Sequence, residues 1–233
     1  MKRLITFLLV CVPFIASAQL ETHTYETSAG NVDITLIGHS SLMIGFKGKI
    51  IHIDPYSKVY DYSQLPKADL VLITHEHGDH FDKNALEAIS KRETEAISNK
   101  AVADQYDKVD LYMENDEVYG WEDVQIDAVP AYNLVHRKDN GEAYHPKGVG
   151  NGYVLTFGNF RVYIAGDTEP IPEMNDLEDI NVAFLPKNLP YTMSDEEFVV
   201  AARMVKPEIL YPYHYSRIDW DMLRKQLEGI EIK

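Results

Sequence analysis

Residues 74–82 read Thr-His-Glu-His-Gly-Asp-His-Phe-Asp, and no other stretch limits the possible folds of this chain so strongly. Three imidazoles and a carboxylate, those of His75, His77, Asp79 and His80, fall within six positions, directly after the apolar run Asp69-Leu-Val-Leu-Ile-Thr74. That run is short and rich in branched residues, so it reads as a buried strand. A strand ending in a tight turn splays successive ligands toward different points, and Gly78 is expected to give the backbone the freedom to do so. The chain has nine His in all, so three within six residues form a ligand pattern, and its geometry points to two metal ions.

The remaining pattern suggests how that strand is housed. Apolar or alternating segments recur at 32–37, 41–46, 50–53, 70–74, 124–129, 153–157, 160–165, 182–185 and 209–213. Lys47-Gly48 and Gly158-Asn159 offer turn residues between strand-like runs, the second pair fitting a two-residue connection. Asp82 can cap a helix over 83–90. Ser194-Asp-Glu-Glu197 is a capping box for a helix that stops near Lys206-Pro207, and 219–227 reads as a last amphipathic helix. Antiparallel strands followed by mixed strands and helices predict an α/β fold of two packed sheets with helices on the outer faces. No repeat of fixed period and no linker-like stretch interrupts residues 19–233, which read as one domain.

The first residues carry Lys2 and Arg3, an apolar stretch too short to span a bilayer, and Ala16-Ser17-Ala18 as a small-residue cleavage site. Residues 1–18 are therefore expected to be a secretory signal peptide, and the mature protein to be periplasmic or secreted. Lipid attachment at Cys11 is disfavoured by bulky Val10 before it. Removing 18 of the 233 residues leaves 215 and takes away Cys11, the only cysteine. Thiolate ligation and Cys nucleophilic catalysis then drop out, and a metal must be held by His and carboxylate. Loss of Lys2 and Arg3 moves the net charge from −15 to −17. Such acidity argues against nucleic acid and anionic lipid as partners, and no stable membrane insertion is expected after cleavage.

Three further residues are candidate ligands by context. Asp167, in Ile164-Ala-Gly-Asp-Thr168, follows a strand beside Gly166 and could bridge two cations or be an ordinary turn residue. His214 ends the 209–213 strand among aromatic residues, as a ligand or as a satisfied core His. His145 lies in a loop fixed by Pro146, with His136 and Asn133 as rivals nearby.

Taken together, the 74–80 run, Gly166-Asp167-Thr168 and Pro212-Tyr-His214 resemble, in order and spacing, the metallo-β-lactamase-fold metal-dependent hydrolases. Gly38-His-Ser-Ser41, Ile53-Asp-Pro55, Val129-Pro-Ala-Tyr-Asn133, His145-Pro-Lys147 and Tyr191-Thr-Met193 resemble the branch related to ascorbate-phosphate lactonases and N-acylphosphatidylethanolamine phospholipases D. The resemblance implies a four-layer αββα sandwich. It also implies one ion held by His75, His77 and His145, a second held by Asp79, His80 and His214, and Asp167 bridging. His77, where the oxygen-reducing diiron members carry a carboxylate, favours zinc.

Two divalent ions sharing a water would supply a hydroxide nucleophile for an ester, lactone, amide or phosphodiester of a small-molecule substrate, with Asp79 assisting proton transfer. An iron-dependent oxidoreductase on the same fold and a non-catalytic metal-binding protein are the rival functions. His39 and Asp54 are expected to stand behind the ligands and orient them. The chain departs from the Gly-Gly-Thr-Tyr-Thr-Met loop of many such relatives, reading Pro186-Lys-Asn-Leu-Pro-Tyr-Thr-Met193. Lys187 and Tyr191 of that loop are candidate substrate contacts, Lys187 as a cation near the site mouth.

Overall fold

Each half of the chain builds one seven-stranded sheet with the same topology: four antiparallel strands, then three added in parallel. The structure, a computed structural model, describes residues 20–233, so the expected signal peptide lies outside the described residues. In the first sheet β1 (Glu21–Thr27), β2 (Gly30–Gly38), β3 (Ser41–Phe46) and β4 (Lys49–Ile53) are antiparallel. The strands β5 (Leu70–Leu72), β6 (Glu95–Ser98) and β7 (Leu111–Tyr112) then pair in parallel. The second sheet repeats the order with β8 (Val118–Trp121), β9 (Val124–Ala131), β10 (Gly150–Phe157) and β11 (Phe160–Ile164), then β12 (Val182–Pro186), β13 (Ile209–Tyr213) and β14 (Glu231–Ile232). The sequence shows no trace of this duplication, because a shared strand order needs only matching polarity patterns and not matching residues.

The β3–β4 turn is made by Lys47 and Gly48, both left-handed (φ 48° and 77°), the conformation a two-residue hairpin requires. The crossovers between parallel strands carry the helices. Asp82 caps α1 (Lys83–Ile89) by accepting from Asn84 N at 2.9 Å, and Asn99 caps the short α2 (Lys100–Ala103). The expected capping box opens α3 (Asp195–Val205): Ser194 Oγ accepts from Glu197 N, and Glu197 Oε2 accepts from Ser194 N at 2.8 Å. Its end falls at left-handed Lys206, before Pro207. Asp219 caps α4 (Trp220–Gln226).

Why the 70–72 run is apolar at every position is now plain. Leu70 and Leu72 point between the sheets into a core shared with Ile34, Ile51, Leu155 and Phe184, while Val71 points outward against Leu86 and Ile89 of α1. On the far side, Phe198, Ala201 and Ala202 of α3 cover Val154, Tyr163 and Ala183 of the second sheet. Each fully buried Leu, Ile, Val or Phe side chain among these contributes about 1.5–3 kcal/mol. The layers are helix, sheet, sheet, helix. One consequence matters for function: the chain leaves β5, β9, β11 and β13 at the same edge of the sandwich.

Candidate metal centre

Six segments, those that follow β2, β4, β5, β9, β11 and β13, converge at that edge, and the backbone is forced into rare conformations to deliver them. His39, Asp54 and His214 all take left-handed backbone (φ 55°, 44° and 50°) without being glycine. Such residues persist only where surrounding contacts over-determine them, and they gather at functional sites. Gly166 (φ 65°) is required for a different reason. A Cβ there would stand 2.8 Å from the carbonyl oxygen of Asn151, so only glycine lets the strand turn and present Asp167. Gly78 corrects the expectation made for it: its φ is not positive and a Cβ would meet nothing within 4 Å. The turn at 77–81 is closed instead by His80 N and Phe81 N, which both donate to the His77 carbonyl.

The side chains meet in two groups. His75 Nε2 and His145 Nε2 stand 3.1 and 3.2 Å from His77 Nδ1. On the other side, His214 Nε2 is 3.3 Å from Asp79 Oδ2 and His80 Nε2 is 4.0 Å from it, with His39 Nε2 at 2.9 Å. Asp167 lies between the groups, Oδ2 at 3.3 Å from His145 Nε2 and 3.5 Å from His214 Nε2, Oδ1 at 3.4 Å from His80 Nε2. Nitrogen ligands at a tetrahedral ion with bonds of about 2.0–2.1 Å are separated by about 3.3 Å, so these spacings are those of donors around small cations. His80 Nε2, His214 Nε2 and Asp167 Oδ1 are buried without a hydrogen-bond partner, a costly arrangement for three polar atoms unless a cation satisfies them. The donor set fits.

The opposite ring atoms are held from behind, which fixes which nitrogen faces inward. His80 Nδ1 donates to Asp54 Oδ2 at 2.7 Å, and Asp54 also accepts from Thr74 N and Thr74 Oγ1. Thr74 Oγ1 lies 3.0 Å from His75 Nδ1. Asn133 Oδ1 accepts from His145 Nδ1 at 2.9 Å, and the Asn188 amide faces His214 Nδ1 at 3.3 Å. Electrostatics follow from this crowding. Burial alone would raise the Asp167 pKa, but the facing His80 and His214 hold it well below the usual carboxylate range. Burial opposes charge on His80 too, yet Asp167 and Asp54 lift it well above an ordinary His. His75 is driven well down by burial and by its His80 neighbour, and His77 is lowered by burial and His145. Burial would also raise Asp79, but the facing His214 and the hydrogen-bonded His39 pull it low.

All the expected ligand residues, His75, His77, Asp79, His80, His145, Asp167 and His214, are thus brought together, and His39 and Asp54 stand against them. His136 is not among them: its Nε2 pairs with Glu197 at 3.0 Å. Asn133, the other rival in that loop, is the hydrogen-bond support of His145. Lys187 is placed in an ion pair. Its ammonium donates to the Arg217 carbonyl at 2.8 Å and sits 2.6 Å from Asp195 Oδ1, an ion pair without hydrogen-bond alignment, so it offers no free cation at the mouth. The Tyr191 ring is half exposed and packs edge-on to Tyr144, while its carbonyl accepts from Asn133 Nδ2 at 2.9 Å.

Sequence reasoning missed Glu169. Buried at 1% exposure, it accepts from Asn133 Nδ2 and from three successive backbone N–H groups, those of Leu134, Val135 and His136, at 2.7–2.9 Å. Its only signal is its position two residues after Asp167.

A fold of two such sheets with this His and Asp cluster at one edge defines a β-lactamase superfamily domain, and that family's model matches residues 33–214. More narrowly, the chain belongs to the UPF0173 family of metal-dependent hydrolases. It is 33% identical to the UPF0173 metal-dependent hydrolase NEQ378 of Nanoarchaeum equitans, across 82% of this chain and 86% of that one. Its fold matches a candidate metal-dependent hydrolase from Parabacteroides distasonis at 44% identity and TM-score 0.87, covering 92% of this chain and 98% of the other. The metallo hydrolase Igni18 of Ignicoccus hospitalis matches at 27% identity and TM-score 0.71, covering 87% and 94%. The protein is a metal-dependent hydrolase, which sets aside the oxidoreductase and non-catalytic readings. These matches carry the superfamily and the UPF0173 family; they do not reach the narrower resemblance to ascorbate-phosphate lactonases and N-acylphosphatidylethanolamine phospholipases D. Among the described residues, no helix is long and apolar enough to cross a membrane.

Proposed function

We propose that this hydrolase works with two divalent ions, zinc in preference to iron or manganese, on an ester, lactone, amide or phosphodiester bond of a small molecule. His75, His77 and His145 would hold the first ion, Asp79, His80 and His214 the second, with Asp167 shared. The position of Asp167 carries this reading, because its two carboxylate oxygens are flanked on both sides by inward-facing imidazole nitrogens. An all-imidazole and carboxylate donor set with tetrahedral spacing supports zinc.

When bound, such ions acidify a water and polarise the electrophilic oxygen of the substrate. The residues divide the remaining work. Asp79 keeps a third of its side chain open to solvent where Asp167 keeps 4%, so Asp79 is the carboxylate that substrate and water can reach. It would orient the attacking water and pass a proton to the leaving group. His39, at 2.9 Å, holds that carboxylate in place, and the His39 carbonyl accepts from His214 N at 2.9 Å, coupling the two groups' positions. Asp54, Thr74 and Asn133 keep the ligand rings from turning.

The test is a screen of chelator-stripped protein, reloaded with one metal at a time, on representatives of the four bond classes. Zinc should restore hydrolysis of at least one class, and chelator should remove it. Absence of turnover with every metal on every class contradicts the reading.

Export is a separate proposal. It rests on Lys2, Arg3 and Ala16-Ser17-Ala18, and expects native protein to begin at Gln19 outside the cytoplasm. N-terminal sequencing of protein from the native host that finds Met1 in the cytosol overturns it.

A further inference from the structure

Beside the metal centre lies a cavity of about 320 Å³, built where the β2–β3 connection meets the end of β13. Leu36, Leu42 and Phe184 line it together with the rings of Tyr211 and Tyr213, and His39 and His214 complete the wall. The polar atoms of this lining are spent elsewhere. Tyr211 OH bonds to Tyr25 OH at 2.7 Å, Tyr213 OH donates to the Gly166 carbonyl, and Ser41 Oγ donates to the Asp54 carbonyl at 2.6 Å. His39 and His214 direct their Nε2 atoms at Asp79 Oδ2, at 2.9 and 3.3 Å. What remains facing the cavity is mainly carbon, with the exposed Tyr215 at its rim, and no Lys or Arg lines it. A purely apolar cavity of roughly 150 Å³ takes a benzene molecule, so this one has room for a phenyl ring or a six-carbon chain.

We infer that this cavity is the subsite for an apolar acyl group of the substrate, which makes the natural substrate a small uncharged ester or amide with an acyl chain of about six carbons. The inference rests on the hydrolytic reading of the metal centre. Two observations join the pocket to the chemistry. First, the two imidazoles in its wall are those that contact Asp79, the more exposed carboxylate, so the pocket adjoins the second group of ligands. Second, Lys187, the cation expected at the mouth, is engaged by Asp195 and the Arg217 carbonyl, and the net charge is −15, neither of which suits an anionic phosphodiester. An apolar wall recognises its ligand by removing carbon from water, so affinity should grow with each methylene until the cavity is full.

The experiment uses zinc-loaded protein and p-nitrophenyl esters from acetate to octanoate, with Leu36→Trp to fill the cavity and Leu42→Ala to enlarge it. In the unmodified protein kcat/KM should rise roughly threefold per methylene up to about six carbons and then level. Leu36→Trp should flatten the series, and Leu42→Ala should move the plateau to longer chains. Saturation-transfer NMR with 1-hexanol on metal-free protein gives a readout apart from turnover: contact with the unmodified protein, lost in Leu36→Trp. Ester turnover that ignores chain length overturns this inference alone, as does hexanol contact that survives Leu36→Trp. Absence of ester turnover with hexanol still bound overturns the ester assignment alone, and absence of turnover on all four bond classes overturns the hydrolytic reading beneath it.

Discussion

Asn133 holds His145 twice with one oxygen: Oδ1 accepts from His145 N at 2.7 Å and lies 2.9 Å from His145 Nδ1. The first bond fixes the loop backbone and the second fixes the ring, so His145 Nε2 faces His77 and Asp167 before any ion arrives.

His145→Ala should therefore lower metal content and hydrolysis sharply, and Asn133→Ala should weaken metal affinity by about 10–100-fold through loss of ring orientation. His136→Ala, which removes a partly exposed pair with Glu197, should leave metal content near wild type and cost no more than about 1 kcal/mol of stability. Metal titration of the three variants checks this. Loss of metal on His136→Ala with retention on His145→Ala contradicts the ligand set.

Glu169→Gln should destabilise the protein by about 2 kcal/mol, since an amide cannot accept all the hydrogen bonds that the carboxylate now takes from residues 133–136. The same change should weaken metal binding about tenfold, because Glu169 anchors Asn133 and Asn133 anchors His145. Urea midpoints and metal titration separate the two effects. A variant with reduced stability and unchanged metal affinity refutes the relay.

How much of this was legible in the sequence depended on local density of information. The ligands at 75–80 announce themselves because four of them share one turn, and the central strands announce themselves because they are apolar. The expected strand over 70–74 ends at Leu72, yet Ile73 N still donates to Ile97 O before the chain turns away at Thr74. Polar or short strands were silent: β1, four-residue β6 and β8 and two-residue β7 and β14 are too mixed or too short to show a pattern, although β6 is largely buried, and their pairing comes from neighbours. Glu169 was silent for another reason. A buried carboxylate that serves backbone N–H groups leaves no spacing signature, because its partners can be any residue type. The pairing of Lys187 was silent as well, because sequence places a charge near a site without showing that Asp195 faces it.

His52 supplies a pH dependence independent of the metal centre. It is fully buried in β4, and burial lowers its pKa to about 4 from an ordinary 6.5, against the small opposing effect of its bond to the Pro66 carbonyl. Between those values the unfolded chain binds a proton that the folded one refuses, so stability falls as pH drops from 6.5 toward 4. From pH 7 to pH 5 this group should cost about 2 kcal/mol. Comparison of urea midpoints at the two pH values, in wild type and His52→Gln, should show the variant losing less on acidification by about that amount. An equal loss in both removes His52 as the cause.

The number of ions per chain, measured by elemental analysis on protein saturated with zinc, tests the central claim most directly when wild type and Asp167→Ala are compared. The account predicts close to two zinc ions in the wild type and a loss at both sites in the variant, because one carboxylate lies against His145 on one side and against His80 and His214 on the other. A wild type that stays at one ion with full hydrolytic activity, or an Asp167→Ala protein that still carries two, would contradict it.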